Sequence, residues 1–561
     1  MFKKTVVNPQ LDMFDTPNMH LGERAYKKYS DPKSWHNQFY SLITSRIDEE
    51  IFQPLFPQGK KSGRPTASIR ILVAMSVLKE GFGCSDEDLF EKCEFDLLTR
   101  KALGLLSLDD APPSLDTYYL FRRRLCNYAE TNNVDLIGKC FEHLVGDHIR
   151  LLKISGKCIR MDSKLIGSNI AKVTRYELIH HTTVRFLKGA DLTILSEALN
   201  QKAREYLDED SGKTVYRSDK DTLQSRLNDF GEFIYALLSV YGEDYAGVTL
   251  LKRLFDEQYV VEDSKVKLRD KKTISSGSLQ SPDDPDATFR NKNGQKVSGF
   301  VTNITETVEE GKPSIITSVQ TEPLTCGDCK FLQDAVKRTE QICGDAVEEI
   351  YADGAYQSPD NRIFAKEEGI ALKTGKMQGA SRYLLQRENG TDEVWVTDTL
   401  TGQIEKAVCT KGVKRGKLWR IPMPDTKVSS KFRYFTEKEV ECSEIRQELL
   451  NFPPEELTKR NNVEAAMFQY SFHTRNGKTR YRGLRKHRIH AFCRCLWMNL
   501  RRIVIFFNIS NLDIKQVFTC ILSLFYIRNL FLNVSKGRFW RPSMQSYYEL
   551  SFTENLKTAS F

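Results

Sequence analysis

The sequence predicts an α/β protein: a mixed sheet carrying one helical and one β-rich insertion, behind an N-terminal all-α region. Three observations predict this. Helical patterns joined by short turns fill the first 150 residues, β-branched runs then alternate with helical ones, and two long segments of a different period interrupt that alternation. At 561 residues, 40% hydrophobic and 28% charged, the chain can bury several cores and is neither disordered nor fibrous. The length suggests about three or four units at roughly 150 residues each.

Residues 1–30 lack periodicity and read as a flexible arm, and 31–150 read as the helical domain. TASIRILVAMSVLKE sets Ile69, Leu72, Val73, Ser76 and Val77 on one helical face. Ser85, with Asp88 three residues on, opens SDEDLFEKCEFDLLTRKALG like a capping box, and Gly104 closes it. Ser114, after Pro112 and Pro113, is the N-cap of a third helix that carries Tyr118, Phe121 and the triplet Arg122, Arg123 and Arg124. A fourth helix covers about 134–149. Helices joined by short turns, one ending in an arginine cluster, suit a small DNA-docking bundle, and a structural bundle with a solvated basic face suits the pattern equally.

Residues 151–502 read as the second domain. KCIRMDSKLIGSN is a strand with Asp162 at its end, followed by a helical insertion over about 175–280. The Ser, Asp, Pro and Gly-rich residues 274–296 read as a loop. GFVTNITETVE and SIITSVQTE are strands, CKFLQDAVKRTEQI is a helix, and EEIYADGAY is a strand ending at Asp353. Alternation around Gly-Thr turns marks a β-rich insertion over about 380–440, and helix returns from Glu444 through Glu464 with a break at Pro453 and Pro454.

Residues 503–561 have no reading of role. Within them Val517 to Ile527 is apolar but too short to span a bilayer, which takes about 20 residues, so a packing helix is expected. MFKKTVVNPQLDMF has no apolar core and is not a signal peptide, so a cytoplasmic location without membrane contact is expected. Of thirteen cysteines only Cys326 and Cys329 form a CxxC, with no second pair to complete a zinc site, so buried free thiols are expected.

The chemistry lies in the acidic residues. Asp162 and Asp353 each close an apolar or β-branched run, and side chains at strand ends face the open edge where α/β sheets bind ligands. Two neighbouring carboxylates repel unless a cation lies between them. Oxygen-only anionic sites suit Mg2+ or Mn2+, and a pair of such ions about 4 Å apart serves phosphodiester displacement. A helix crossing that edge should supply the third ligand: RNNVEAAMF offers Glu464, with Arg460 one turn earlier, set to pair with a carboxylate or a substrate phosphate. Glu455 and Glu456 are rival third ligands, and Asp284 and Asp286 in a Pro-rich loop are rival aspartates, ranked lower because a mobile loop positions metal poorly.

The net charge is +9, and its placement matters more than its size. Between Asn476 and Arg502 stand nine cations and no acid: Lys478, Arg480, Arg482, Arg485, Lys486, Arg488, Arg494, Arg501 and Arg502. Leu484, Ala491, Cys495 and Met498 keep a helical face, so one side is expected to pack while the other stays positive and contacts phosphate. His487 and His490 have ligand spacing without a third partner, so core or phosphate roles are expected.

In the stretches RPTASIRILVAMSVLKEGFGCSDEDLFEKC, SLDTYYLFRRRL, IRMDSKLIGSNIAK, IYADGAYQSPDN, RNNVEAAMFQY and TRYRGLRKHRIHAFCRCLWMNLRR, in family order from about residue 64 to 502, the chain resembles bacterial insertion-sequence transposases of the DDE class. The resemblance implies a ribonuclease H-like core behind an N-terminal DNA-binding domain, with Asp162, Asp353 and Glu464 as catalytic, metal-binding triad for Mg2+ or Mn2+, two ions in all. It also implies double-stranded DNA partners, both the element's terminal inverted repeats and target DNA, and a homodimer in the DNA complex. The DNA-binding residues expected are Arg122, Arg123, Arg124, Arg460, Lys478, Arg480, Arg482, Arg485, Lys486 and Arg488. Relatives often follow Tyr-x2-Arg-x3-Glu-x6-Lys around the glutamate; here Leu457 and Ser471 stand at the outer positions. A DNA-binding regulator without chemistry and a metal-dependent nuclease that does not join are the alternatives.

Overall fold

The computed structural model describes residues 21–56, 66–263, 265–292, 294–375, 381–388, 391, 393–412, 416–423, 431–450 and 458–509. Most of the expected N-terminal arm, Glu455, Glu456 and the Val517 to Ile527 run lie outside the described residues. Among the described residues no helix is long and apolar enough to cross a membrane, and the cysteines are free thiols.

The N-terminal region is helical: α1 (Glu23–Ser30), α2 (Trp35–Leu42), α3 (Ile69–Phe82), α4 (Asp86–Phe95), α5 (Leu97–Leu103), α6 (Leu115–Asn132) and α7 (Leu136–Leu152). Local chemistry sets the starts. Ser68, Ser85 and Ser114 accept from the Ile71, Asp88 and Thr117 amides, and Asp88 returns the bond to complete a capping box. The single helix expected from Ser85 to Gly104 is two, because Asp96 is extended and caps α5 by accepting from the Leu98 amide. Nor is α3 a half-buried stripe, since nearly every residue from Ile69 to Gly81 is buried.

The mixed sheet contains β1 (Cys158–Gly167), β4 (Thr288–Lys292), β5 (Gln295–Thr307), β6 (Ile316–Pro323), β7 (Glu349–Ala352) and β8 (Ala371–Thr374). β1 lies antiparallel to β5 and parallel to β7, β8 is parallel to β7, and β6 is antiparallel to β5, in the order β6–β5–β1–β7–β8. β4 falls within the segment read as loop; it forms a hairpin with the start of β5, and Gly294 in the connection has φ +82°. Asp162 lies mid-strand, not at a strand end, because β1 runs on to Gly167 beside the long β5.

Between β1 and β4 stand α8 (Arg175–Leu187), α9 (Glu197–Asp208), α10 (Ser211–Arg217), α11 (Lys220–Val240) and α12 (Val248–Gln258), followed by the hairpin β2 (Tyr259–Glu262) and β3 (Lys265–Leu268). They bury a core of their own around Tyr176, Phe230, Ile234, Leu254 and Tyr259. α13 (Leu332–Cys343) and α14 (Pro359–Glu367) connect the later strands of the mixed sheet. β9 (Tyr383–Arg387), β10 (Val394–Asp398), β11 (Ile404–Gly412), β12 (Gly416–Pro422) and β13 (Phe432–Thr436) form a second, antiparallel sheet, and α15 (Glu437–Leu450) packs on it through Val440. The chain then enters α16 (Thr458–Ser471) and α17 (Leu484–Ile509).

One face of the mixed sheet packs on α13 through Ile159, Met161, Val301, Leu332 and Ile350. The other face, with Ile166, Ile304, Ile316 and Val319, shares one hydrophobic core with the N-terminal helices, α16 and α17. From Ala491 to Leu500 every residue of α17 is buried, against α2, α3, α6, α7 and β6. The expectation of one packed and one positive side therefore fails for these turns: α17 is a central helix of the molecule.

Candidate active site

Parallel register decides the geometry of the acidic pair. Cys158 stands beside Glu349 and Arg160 beside Tyr351; carried two residues further, the same register sets Asp162 beside Asp353. Side chains at matched positions of parallel strands leave the sheet on the same face. That face belongs to Ile304, the partner of Asp162 across β5, and it is the face on which α16 packs. β7 stops at Ala352, so the pair stands where the sheet narrows. β8 continues the row, since Thr374 pairs with Ala352 and Gly375 follows. A Cβ on Gly375 would lie 3.4 Å from Arg460 Nη1 and 4.0 Å from Asp353 Oδ1, so glycine leaves that side of the pair open.

The Ser163 amide donates to Asp162 Oδ1 at 2.8 Å, and the Gly354 amide donates to Asp353 Oδ1 at 2.6 Å. Among the described residues the second oxygen of each carboxylate accepts no hydrogen bond. Burial pushes the Asp162 carboxyl above its ordinary value; the Ser163 amide and the Arg460 guanidinium pull it down, and the charge of Asp353 pushes it up again. Arg460 Nη2 stands 3.8 Å from Asp353 Oδ1, so a guanidinium brings positive charge to the pair.

Glu464 follows Arg460 by one turn of α16 on the same side of the helix, and its side chain is exposed. Val463, Ala466, Met467 and Tyr470 form the buried side of α16. Among the described residues no three His, Cys, Asp or Glu side chains converge closely enough to hold an ion. The structure thus brings Asp162 and Asp353 together, carries Arg460 against them, and leaves Glu464 on the adjoining helix without closing the triad. In kind the donors fit a hard divalent cation: they are carboxylate oxygens, two of them free, with a cationic group already drawn to the pair.

Two supporting groups escaped the reading of the sequence. Tyr356 of the ADGAY stretch is fully buried; its hydroxyl donates to Asn303 Oδ1 at 2.6 Å, and Asn303 Nδ2 donates to Gln320 Oε1 at 2.8 Å. Burial, reinforced by the charge of Asp162, pushes the Tyr356 phenol well above its ordinary value, so it stays protonated. Arg160, two residues before Asp162, pairs with the fully buried Glu306. The MD and ADG contexts drew attention to the acids alone, although Arg160 and Tyr356 stand in the same stretches.

The expected DNA-binding residues divide by partner. Arg122 lies between the Tyr118 and Tyr481 rings, at 5.5 and 5.0 Å, and is turned inward. Arg488 pairs with Glu322 at 2.6 Å. Lys478, Arg480 and Arg482 donate to the carbonyls of Ile170, Gly83 and Asn169, Arg482 also pairing with Asp283 at 3.2 Å. Arg124 rests over Phe56. Arg123, half-buried Arg485 and exposed Lys486 make no ion pair among the described residues. Of the other cations in the acid-free stretch, Arg494 donates to the Glu80, Gly81 and Gln469 carbonyls and Arg502 pairs with Glu306. The acids absent from this stretch thus come from distant parts of the chain.

His487 and His490 hold separate partners: His487 Nε2 lies 3.1 Å from the Tyr481 carbonyl, and His490 Nδ1 lies 2.6 Å from Glu80 Oε2. The rival aspartates are structural. Asp284 is fully buried and accepts from the Ser168 hydroxyl, and Asp286 accepts from the Leu484 amide at the start of α17.

Residues 28–124 match the family described as Transposase domain (DUF772), from the end of α1 into α6. No curated protein and no solved structure matches the chain.

Proposed function

We propose that this chain, which carries a transposase domain over residues 28–124, is a DDE-class insertion-sequence transposase that cuts and joins DNA with divalent metal. The observation that carries the reading is the parallel register of β1 and β7, which carried two residues on sets Asp162 beside Asp353 on the face crossed by α16. The strand order supports a ribonuclease H-like core: in β6–β5–β1–β7–β8 only β5 runs against the others. Its partners are the terminal inverted repeats of its own element, target DNA and a second copy of the chain.

Asp162, Asp353 and Glu464 would hold Mg2+ or Mn2+, and such ions, when bound, would activate a water or 3′-hydroxyl and steady the leaving oxygen. The protein's part is placement and charge. β1 and β7 fix two carboxylates rigidly, and Tyr356 and Asn303 stiffen the sheet from the opposite face. Arg460, 3.8 Å from Asp353, stands where its guanidinium would meet a substrate phosphate beside the pair. Among the described residues Arg123, Arg485 and Lys486 are the expected cations without an ion pair, side-chain hydrogen bond or ring contact, and contacts of that kind position DNA without reading its sequence.

Exposed Glu464 and the departures at Leu457 and Ser471 favour a second reading, a DNA-binding regulator without chemistry. Incubation with Mg2+ and DNA carrying the flanking element ends, beside a pre-cut end and a target duplex, separates the readings. The transposase cleaves and joins, and Asp162→Ala or Asp353→Ala lowers both rates by at least about a hundredfold, the scale of losing one charge-stabilising group. A regulator binds the ends and cuts nothing. A nuclease cuts but does not join the pre-cut end.

A further inference from the structure

Arg160 lies on β1 two residues before Asp162 and leaves the sheet on the same face. Its Nε donates to Glu306 Oε1 at 2.5 Å, its Nη1 to the Lys459 carbonyl at 3.0 Å and its Nη2 to Ser314 Oγ at 3.0 Å. Lys459 stands in the first turn of α16, immediately before Arg460. Glu306 is fully buried, and its second oxygen accepts from Arg502 of α17 at 2.7 Å. One guanidinium therefore joins the strand of Asp162, its antiparallel neighbour and the helix of Arg460 and Glu464.

Buried charges of this kind lose their hydration, and a well-packed apolar cluster of the same volume often holds a fold as well. What the planar fork supplies is direction: three donors at fixed angles to β5, to α16 and to the β5–β6 connection. The other polar ties of α16 to the sheet are looser or distant. Lys459 Nζ, half exposed, reaches Glu349 at 3.9 Å, and the Tyr470 hydroxyl meets Thr302 at the far end of the helix.

We propose that Arg160 is a positioning residue that sets the first turns of α16 over the Asp162–Asp353 pair, and so decides whether Glu464 completes the ion site. This rests on the reading that these three carboxylates hold divalent ions. Arg160 does not itself touch ion or DNA; it acts through the Lys459 carbonyl.

The test uses the full chain with Fe2+ in place of Mg2+, ascorbate and peroxide, so that bound iron cuts the nearest backbone and mass spectrometry maps the cuts. The unaltered chain is expected to be cut near Asp162, Asp353 and Glu464. Arg160→Lys keeps a charge beside Glu306 but cannot reach all three partners. Cutting near Glu464 is expected to fall about tenfold, the scale on which outer partners of metal ligands act, while cutting near Asp162 and Asp353 persists. Hydrogen exchange of the first two turns of α16 should quicken while α17 stays protected. Ser314→Ala, which removes a contact that does not lead to α16, should keep all three cuts. If Arg160→Lys fails to fold, the double variant Arg160→Gln with Glu306→Gln removes the pair together and carries the same expectation. Unchanged cutting near Glu464 in the variant overturns the proposal alone; no cutting near Asp162 and Asp353 in the unaltered chain overturns the metal reading and this proposal with it.

Discussion

Single residues in this protein show burial and charge working against each other. At Asp162 burial wins and its carboxyl lies high, with Arg460 near enough to moderate the effect. Glu80 is the opposite case. It is buried at the end of α3, and burial alone would push it up, yet His490, Lys79 and the Tyr481 hydroxyl bring it down to about 2 from an ordinary value of 4.5. A carboxyl depressed by folding stabilises the native state above its unfolded value, and that contribution is lost as pH falls through the folded value. The stabilisation owed to Glu80 should thus be complete above about pH 4.5 and vanish toward about pH 2. Urea midpoints of the wild type and Glu80→Gln should differ most near neutrality and converge on acidification. A gap that stays constant down to the lowest accessible pH would falsify this assignment.

At the scale of the element, α17 shows why an amphipathic reading can mislead. Its cations suggested a face open to phosphate, yet Arg488, Arg494 and Arg502 find acids or carbonyls on β6, α3, α16 and β5. Long side chains carry charge across several ångströms, so a buried helix can end its arginines on partners that no local pattern reveals. Its closest neighbour is α3. Gly81 is where the two helices meet, and a Cβ there would run into the Trp497 indole, itself packed against Trp35, Phe39 and Phe82. Gly81→Ala should destabilise the protein by about 1–3 kcal/mol, as overpacking does, despite the better helix propensity of alanine. Denaturant unfolding checks it: an unchanged or raised midpoint means the helices can part without cost.

At the scale of the molecule, the region that matches the transposase-domain family does not have a core to itself. Leu72, Val77, Phe121 and Phe141 of the N-terminal helices share one cluster with Ile304 and Val319 of the sheet and with Phe492 and Leu496 of α17. A fragment of residues 21–152 lacks α17 and exposes the apolar surface that packs against it. Such a fragment is expected to show no cooperative unfolding transition, whereas in the full chain these helices melt together with the sheet. Thermal melting followed by circular dichroism on both proteins decides the point; a sharp transition for the fragment would mean an independent domain. In the proposed DNA complex the shared core would have a consequence, because helices that share a core with the sheet would hold DNA at a set distance from the Asp162–Asp353 pair.

Much of the fold is legible in the sequence, for local reasons. Ser85, Asp88 and Ser114 announce helix starts because capping needs only neighbours in sequence, and the β-rich segment around VWVTDTLTGQIEKAV is written in alternation and turns. Asp162 and Asp353 stood out through the short apolar runs before them. Other features were set only by the tertiary structure. The parallel register that pairs those two aspartates depends on strands separated by the whole helical insertion. The fork of Arg160 finds Glu306, Ser314 and Lys459 across a large part of the chain, and the acids that pair with the arginines of the basic stretch come from β5, β6 and the segment before β4. The division has one physical cause: capping and alternation act between residues that are already neighbours, whereas register, burial and charge pairing act between residues that only folding brings together.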